Sequence, residues 1–196
     1  MSLFRKPYQS ASDESIMSAL LKGDKRAFDE LYSRYAVPLK RFFLRMLWQD
    51  NAKAEDFVHD LFVKIISKPE LFDNNRSFKI WVYTVAGNMC KNEYKKQAVR
   101  KVVTNGVDTH YAISDQSVSV TDEVHDSFFK RSFDEQLEQL ELKHREVFTL
   151  RHLEGLSIRE IAEVIQANEG TVKSRLFYAT KYLASALDVY NPLSNR

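Results

Sequence analysis

The chain of 196 residues has one cysteine, Cys90, so it can build no disulfide framework, which suits a reducing cytoplasm. Its five glycines are scattered and form no phosphate-cradling loop. The five histidines (His59, His110, His125, His144 and His152) show no metal-ligand spacing with cysteine or carboxylate partners. No metal and no cofactor is therefore expected. Nothing in the sequence pairs a nucleophile with a base, which argues against an enzyme. No stretch approaches the roughly 20 apolar residues of a membrane span. Met1 to Ser10 has no apolar run behind its charges and reads as no signal peptide.

Hydrophobic side chains make up 44% of the chain, enough for one ordinary domain or two small ones. The formal net charge of +2 hides a strong pattern. Residues 1–75 carry 12 basic and 11 acidic side chains. Residues 76–101 carry seven basic side chains (Arg76, Lys79, Lys91, Lys95, Lys96, Arg100, Lys101) against one acid, Glu93. Residues 102–126 hold no Lys or Arg and five acids, and residues 127–196 hold ten of each sign. A basic block, an acidic strip and a neutral module in series suggest distinct tasks along one chain. The basic block is the part that a polyanion would seek.

Apolar periodicity gives an all-α chain. Ile16, Ala19 and Leu20 suggest a short first helix. Asp24 can cap a second, in which Phe28, Leu31, Tyr32, Tyr35, Leu39, Phe42 and Met46 line one face. Pro38 inside that run should kink or split it. A third helix starts at Asp50 or Asn51, with Ala54, Phe57, Val58, Leu61, Phe62 and Ile65 as its stripe, and ends at Lys68-Pro69. A fourth starts near Ser77. Phe78, Trp81, Val82, Val85 and Met89 face inward, while Lys79, Tyr83, Asn88, Lys91, Asn92 and Lys95 lie on the other side. Residues 102–126 have no helical stripe, and their composition predicts a flexible acidic linker; short strands at Val102-Val103 or Val118–Val120 are the alternative. Phe128, Phe129, Phe133, Leu137 and Leu140 restore the helical pattern.

Three helices with sharp punctuation close the chain. One covers about Lys143 to Glu154, with Val147, Leu150 and Leu153 inside and Gly155 as its stop. The next opens with Ser157-Ile158-Arg159-Glu160, a capping box. After a turn at Ala167-Asn168, the last buries Val172, Leu176, Ala179 and Leu183. Two short helices joined by a tight turn, the second opening on Thr171, Lys173 and Arg175, form a helix-turn-helix. The first turns of its second helix must approach a major groove and donate hydrogen bonds. Gly170 permits close backbone approach; Arg and Lys read guanine edges or hold phosphate. The duplex-DNA candidates are Arg159, Gly170, Thr171, Lys173, Ser174, Arg175, Tyr178 and Lys181.

Residues 140–187 resemble the fourth conserved region of bacterial sigma factors. The resemblance is carried by Glu146-Val147-Phe148, by Leu153-Glu154-Gly155-Leu156-Ser157 with Glu160-Ile161-Ala162, and by Gly170-Thr171-Val172-Lys173-Ser174-Arg175-Leu176. Gly23-Asp24, Ala27-Phe28 and Leu31-Tyr32 with Tyr35 resemble the opening of sigma region two. Ala54 to Lys64 is similar to the helix that grips the polymerase clamp, and Ser77 to Val82 with Ala86-Gly87-Asn88 to the segment that melts and reads the −10 element. The larger sigma factors' intermediate domain has no room here, so the chain looks like a member of the extracytoplasmic-function (ECF) group.

The resemblance implies two small helical domains, a region-two bundle over 1–101 and a region-four helix-turn-helix over 127–196, joined by a linker over 102–126. It implies binding to RNA polymerase core through Glu55, Asp56, His59 and Asp60. His59 stands where the family often has Gln and keeps a hydrogen-bonding group there. The −35 duplex falls to the helix-turn-helix. The melted −10 strand falls to Arg76, Lys79, Asn88, Lys91, Tyr94, Lys95, Lys96 and Arg100, because an unpaired strand needs cations for its backbone and flat partners for its bases. Trp81 sits on the apolar stripe and reads as core. An anti-sigma protein is an expected partner. The competing class is a stand-alone helix-turn-helix regulator, which predicts tight operator binding by the free protein and leaves the polar helix 54–64 without a purpose.

Overall fold

The computed structural model describes residues 8–103 and 122–190. Eight α-helices account for most of them: α1 (Asp13–Leu21), α2 (Lys25–Met46), α3 (Asn51–Ser67), α4 (Phe78–Val103), α5 (Asp122–Gln139), α6 (Leu142–Phe148), α7 (Ile158–Ile165) and α8 (Glu169–Ala186). The described residues hold no strand. Most of the expected linker, residues 104–121, lies outside the described residues.

Local rules set the helix starts. Ser12, Asp24, Asp50 and Asn168 each accept a backbone N–H of the first turn of α1, α2, α3 and α8 with their side chains, which satisfies a donor that the helix leaves unpaired. Ser157 and Glu160 form the reciprocal capping box that opens α7. The first turn of α4 is held from a distance: the Phe78 N–H donates to Glu14 Oε1 at 3.0 Å.

Pro38 does not split α2, which runs unbroken through it. Tyr35, Leu39, Phe42 and Phe43 around it are all buried, and burying each such side chain gives about 1.5–3 kcal/mol, enough together to outweigh the roughly 3 kcal/mol of an interior proline. The α2–α3 corner is tight, with Trp48 and Gln49 both at positive φ (55° and 56°). Trp48 lies on Tyr94 with ring centroids 4.4 Å apart.

Three other expectations need correction. The helix expected over Lys143–Glu154 is α6 followed by a π-helical turn over Thr149–Leu153, and that turn swings Leu153 out to 36% exposure instead of inward. Tyr83, placed on the wet side of α4, is buried at 2% exposure. Helix α4 also runs through Val102-Val103, and α5 begins at Asp122, inside the stretch expected as linker.

The first four helices pack around Ile16, Leu31, Leu39, Phe42, Phe43, Leu61, Ile65 and Phe78. In the C-terminal module α5, α6 and α8 enclose Leu137, Leu140, Phe148, Ala179 and Leu183. The two modules do not stand apart. Val147, Leu150, Leu156, Ile161, Ala162, Val164 and Val172 belong to the same continuous core as the first four helices. Helix α4 lies between them.

Candidate nucleic-acid and polymerase interfaces

The face expected to meet polymerase is built by α3. Ala54, Val58, Leu61, Phe62 and Ile65 are buried, and a helix that buries that stripe must turn Glu55, Asp56, His59 and Asp60 outward. All four are exposed. Lys40 of α2 donates to Glu55 Oε1 at 2.7 Å and Asn51 donates to the same oxygen at 3.1 Å, which holds the Glu55 carboxyl below its usual range. Asp56, His59 and Asp60 keep open faces for a partner.

The helix-turn-helix has the expected form. Helix α7 ends at Gln166, which takes a left-handed φ of 54°. Asn168 then accepts the Thr171 N–H at 2.8 Å and starts α8. Val172, Ala179 and Leu183 anchor α8 inward. Lys173, Ser174, Tyr178, Lys181, Gly170 and Arg159 are exposed, while Thr171 and Arg175 are half-buried. A groove of about 530 Å³ runs along the start of α8, lined by Gly170, Thr171, Ser174, Arg175 and Tyr178 together with Lys143 and His144 from α6. Burial, with Lys143 and Arg175 nearby, pushes the His144 imidazole below its ordinary pKa. Lys173 sits 3.8 Å from Glu169, and Arg159 sits 3.6 Å from Glu163. These are exposed pairs one helical turn apart, worth only about 0.3–0.5 kcal/mol, so both cations remain available to phosphate.

Sequence reasoning missed Lys143, His144 and Phe177 here. Phe177 is 62% exposed on the same helix as Arg175 and Tyr178. An aromatic one step off the buried stripe was the signal available for it. The groove residues of α6 had no such signal, because only the packing of α6 across α8 places them.

The residues expected to hold the melted strand are divided. Arg76, Asn88, Lys95, Lys96 and Arg100 are exposed along the loop before α4 and on α4 itself. Lys79, Lys91 and Tyr94 face the C-terminal module. Lys79 Nζ donates to the Glu154 carbonyl at 3.2 Å. Lys91 Nζ lies 2.9 Å from Glu146 Oε1. The Tyr94 hydroxyl donates to the Met46 carbonyl at 2.9 Å and accepts from Arg145 Nη1 at 3.0 Å. Trp81 packs on Phe72 and Phe78, with centroids 5.4 and 5.7 Å away, as a core residue does.

The region 31–100 matches the Sigma-70 region 2 family and the region 130–183 matches Sigma-70 region 4. The ECF RNA polymerase sigma factor SigL of Mycobacterium tuberculosis is 35% identical over 162 residues, covering 80% of this chain and 86% of its own. This chain belongs to the ECF sigma factors. The RNA polymerase sigma-H factor of Pseudomonas aeruginosa is a further relative, 28% identical over 89% of this chain and 93% of its own. Two solved structures share the fold. CnrH in complex with the cytosolic domain of CnrY has a TM-score of 0.68 at 22% identity over 90% of this chain and 97% of that one. RpoE in complex with the anti-sigma factor NepR, from Bartonella quintana, has a TM-score of 0.69 at 24% identity over 83% and 97%. As a sigma factor the chain directs promoter-specific transcription initiation. It acts with RNA polymerase core and promoter DNA, and no helix among the described residues is long and apolar enough to cross a membrane.

Proposed function

We propose that this sigma factor divides its work among three surfaces. Glu55, Asp56, His59 and Asp60 dock on polymerase core. Arg159, Gly170, Thr171, Lys173, Ser174, Arg175, Tyr178 and Lys181 hold the −35 duplex. Arg76, Lys79, Asn88, Lys91, Tyr94, Lys95, Lys96 and Arg100 hold the melted −10 strand. Residues 1–101 carry the first and third tasks, 127–196 the second, and 102–126 connect them. The protein makes and breaks no bond; it positions core and separates strands. It works in the cytoplasm, and an anti-sigma protein is its expected antagonist.

The observation that carries this reading is the helix-turn-helix, whose basic second helix presents Lys173, Ser174 and Tyr178 to solvent in the same chain as an exposed acidic helix face. A stand-alone DNA-binding regulator has no use for that acidic face. The test is co-elution of the purified chain with core polymerase on a sizing column, followed by run-off transcription. A stable complex that initiates at a −35/−10 promoter is the expected result. Failure of folded, inhibitor-free protein to bind a cognate core would overturn it in favour of the stand-alone regulator.

A further inference from the structure

The groove of about 530 Å³ beside the start of α8 is lined from two elements. Thr171, Ser174, Arg175 and Tyr178 line it from α8, and Lys143 and His144 line it from α6. Phe148 of α6 packs with Ala179 and Leu183 of α8 in one buried cluster, so the two sides keep a fixed spacing. A helix with its side chains is about 10–12 Å across, and a major groove is about 12 Å wide. A recognition helix therefore fills the groove, and an element packed beside its first turns faces the sugar–phosphate strand at the rim. That sets Lys143 and His144 against phosphate, which positions a protein, and away from the base edges that specify sequence.

The surroundings of His144 suit a proton that arrives with the DNA. Its ring lies 6.1 Å from the Tyr178 ring, and among the described residues neither ring nitrogen has a hydrogen-bond partner. The charges that bear on it are Glu141 and Lys143 from α6 and Arg175 from α8. Glu141 already pairs with Lys143, with 2.8 Å between Oε2 and Nζ. Burial, with Lys143 and Arg175 opposing Glu141, holds the imidazole below its ordinary value, so it is mainly neutral at pH 7 in the free chain. A phosphate at the rim reverses that balance. It offsets Lys143 and Arg175 and accepts a charge-assisted hydrogen bond from the imidazolium, and both effects favour the protonated ring.

We propose that Lys143 and His144 are a phosphate-holding edge of the −35 site, and that His144 takes up a proton from solvent as duplex binds, so the grip on the promoter tightens as pH falls. The proposal rests on the assignment of α8 to the −35 duplex. Duplex raises the affinity of the ring for its proton, and by linkage the proton raises affinity for duplex by the same factor. The gain is absent well above the bound-state pKa, grows as pH falls through it, and is complete below the free-state pKa. A bound value about one unit above the free one gives about tenfold. A ring that only packs against Tyr178 predicts neither this pH response nor a salt response.

The test uses the full chain assembled with core polymerase and a labelled −35 duplex selected from a random-sequence pool by the wild-type complex. By fluorescence anisotropy, wild-type affinity should rise about tenfold between about pH 8 and about pH 5.5. His144→Gln keeps a hydrogen-bonding side chain and a good helix former but cannot titrate, and it should lose most of that rise. His144→Lys carries a fixed charge and should bind at about pH 8 nearly as tightly as wild type does at about pH 5.5. Salt dependence identifies phosphate as the ligand. At the lower pH the fall of log K with log salt should be steeper for wild type than for His144→Gln by about 0.9, one phosphate contact, and the two slopes should coincide at the higher pH. Comparing variants removes the contributions of the other histidines and of core. Circular dichroism shows whether each variant is folded, and His144→Lys carries the test if His144→Gln is not. A pH response and salt slope shared by wild type and His144→Gln, or a His144→Lys affinity no tighter than wild type at about pH 8, overturns the proton-linked edge and leaves the −35 assignment standing. A selection that yields no duplex overturns the −35 assignment itself, so the two failures are told apart.

Discussion

Arg145 is the side chain on which the joint between the modules most depends, and its removal has a calculable cost. It is 4% exposed. Its Nη2 donates to the Leu140 carbonyl at 3.0 Å and to the Glu138 carbonyl, and its Nη1 donates to the Tyr94 hydroxyl at 3.0 Å and the Arg45 carbonyl at 3.4 Å. One guanidinium thus satisfies carbonyls at the ends of α5 and α2, where the helix dipole also favours a cation. Arg145→Met keeps most of the volume and removes every donor. Three carbonyls then lose a charged donor, at about 1.5–3 kcal/mol for each such bond, and part of that is recovered because no charge is buried. A net loss of about 3 kcal/mol is expected, and at roughly 2–4 °C per kcal/mol in a chain of this size Tm should fall by about 6–12 °C. The assay is thermal unfolding by calorimetry. Wild type should unfold in one cooperative step because the two modules share a core, and the variant should show two separated steps. A Tm change under about 2 °C, or a variant that still unfolds in one step, would refute the reasoning.

Replacing Lys173 and Arg175 together by Ala should weaken −35 recognition by about 2–4 kcal/mol while sparing core binding, measured by selectivity in run-off transcription. Asp56→Arg should cut core binding and leave isolated DNA contacts alone, read as a shifted midpoint in competition with another sigma factor. Asn168→Ala removes the cap of α8 and should cost about 1 kcal/mol of stability, seen in urea unfolding with the m-value unchanged. Asp24 gives a pH signature. Hydrogen bonds from Arg26 and Tyr8 hold its carboxyl well below the usual carboxylate range. A depressed folded-state pKa contributes stability that is present above the unfolded value of about 4 and lost as pH falls through the folded one. Asp24→Asn, which keeps a capping side chain, should be less stable than wild type at pH 7, and the gap should begin to narrow below about pH 4 and go on shrinking as pH falls toward the folded-state value; a gap that is unchanged between about pH 5 and pH 2 would contradict this.

Helix starts were legible in the sequence because they follow local rules. Asp24, Asp50 and Ser157 each announce a cap within three residues of the N–H they accept, and Gly155 takes the positive φ of 70° that its place at a stop suggested. The exposed sets on α3 and α8 followed from the stripes opposite them. Tyr83 and Leu153 were misplaced for a shared reason. Each is decided by a partner more than 60 residues away or by a π turn that shifts the register of everything after it. The continuity of Pro38 within α2 is likewise a result of tertiary burial. Periodicity in one segment carries no information about which second surface will cover it.

That second surface explains the odd composition of α4. A helix meant only to hold single-stranded DNA would show cations and flat rings to water along its whole outer face. Here Tyr83, Gly87 and Cys90 interrupt that face, and all three are buried. On the same face Lys79, Tyr83 and Lys91 meet one backbone carbonyl and two carboxylates of the C-terminal module. Of these acceptors only the carboxylates are charged oxygens of the kind that a phosphate also offers. Lys79 and Lys91, proposed above for the melted strand, are thus already engaged by the C-terminal module. Parting them from it would also open the apolar core that Val147, Leu150, Leu156, Ile161 and Val172 share with the first four helices, so the joint is held by burial as well as by these two ammonium groups.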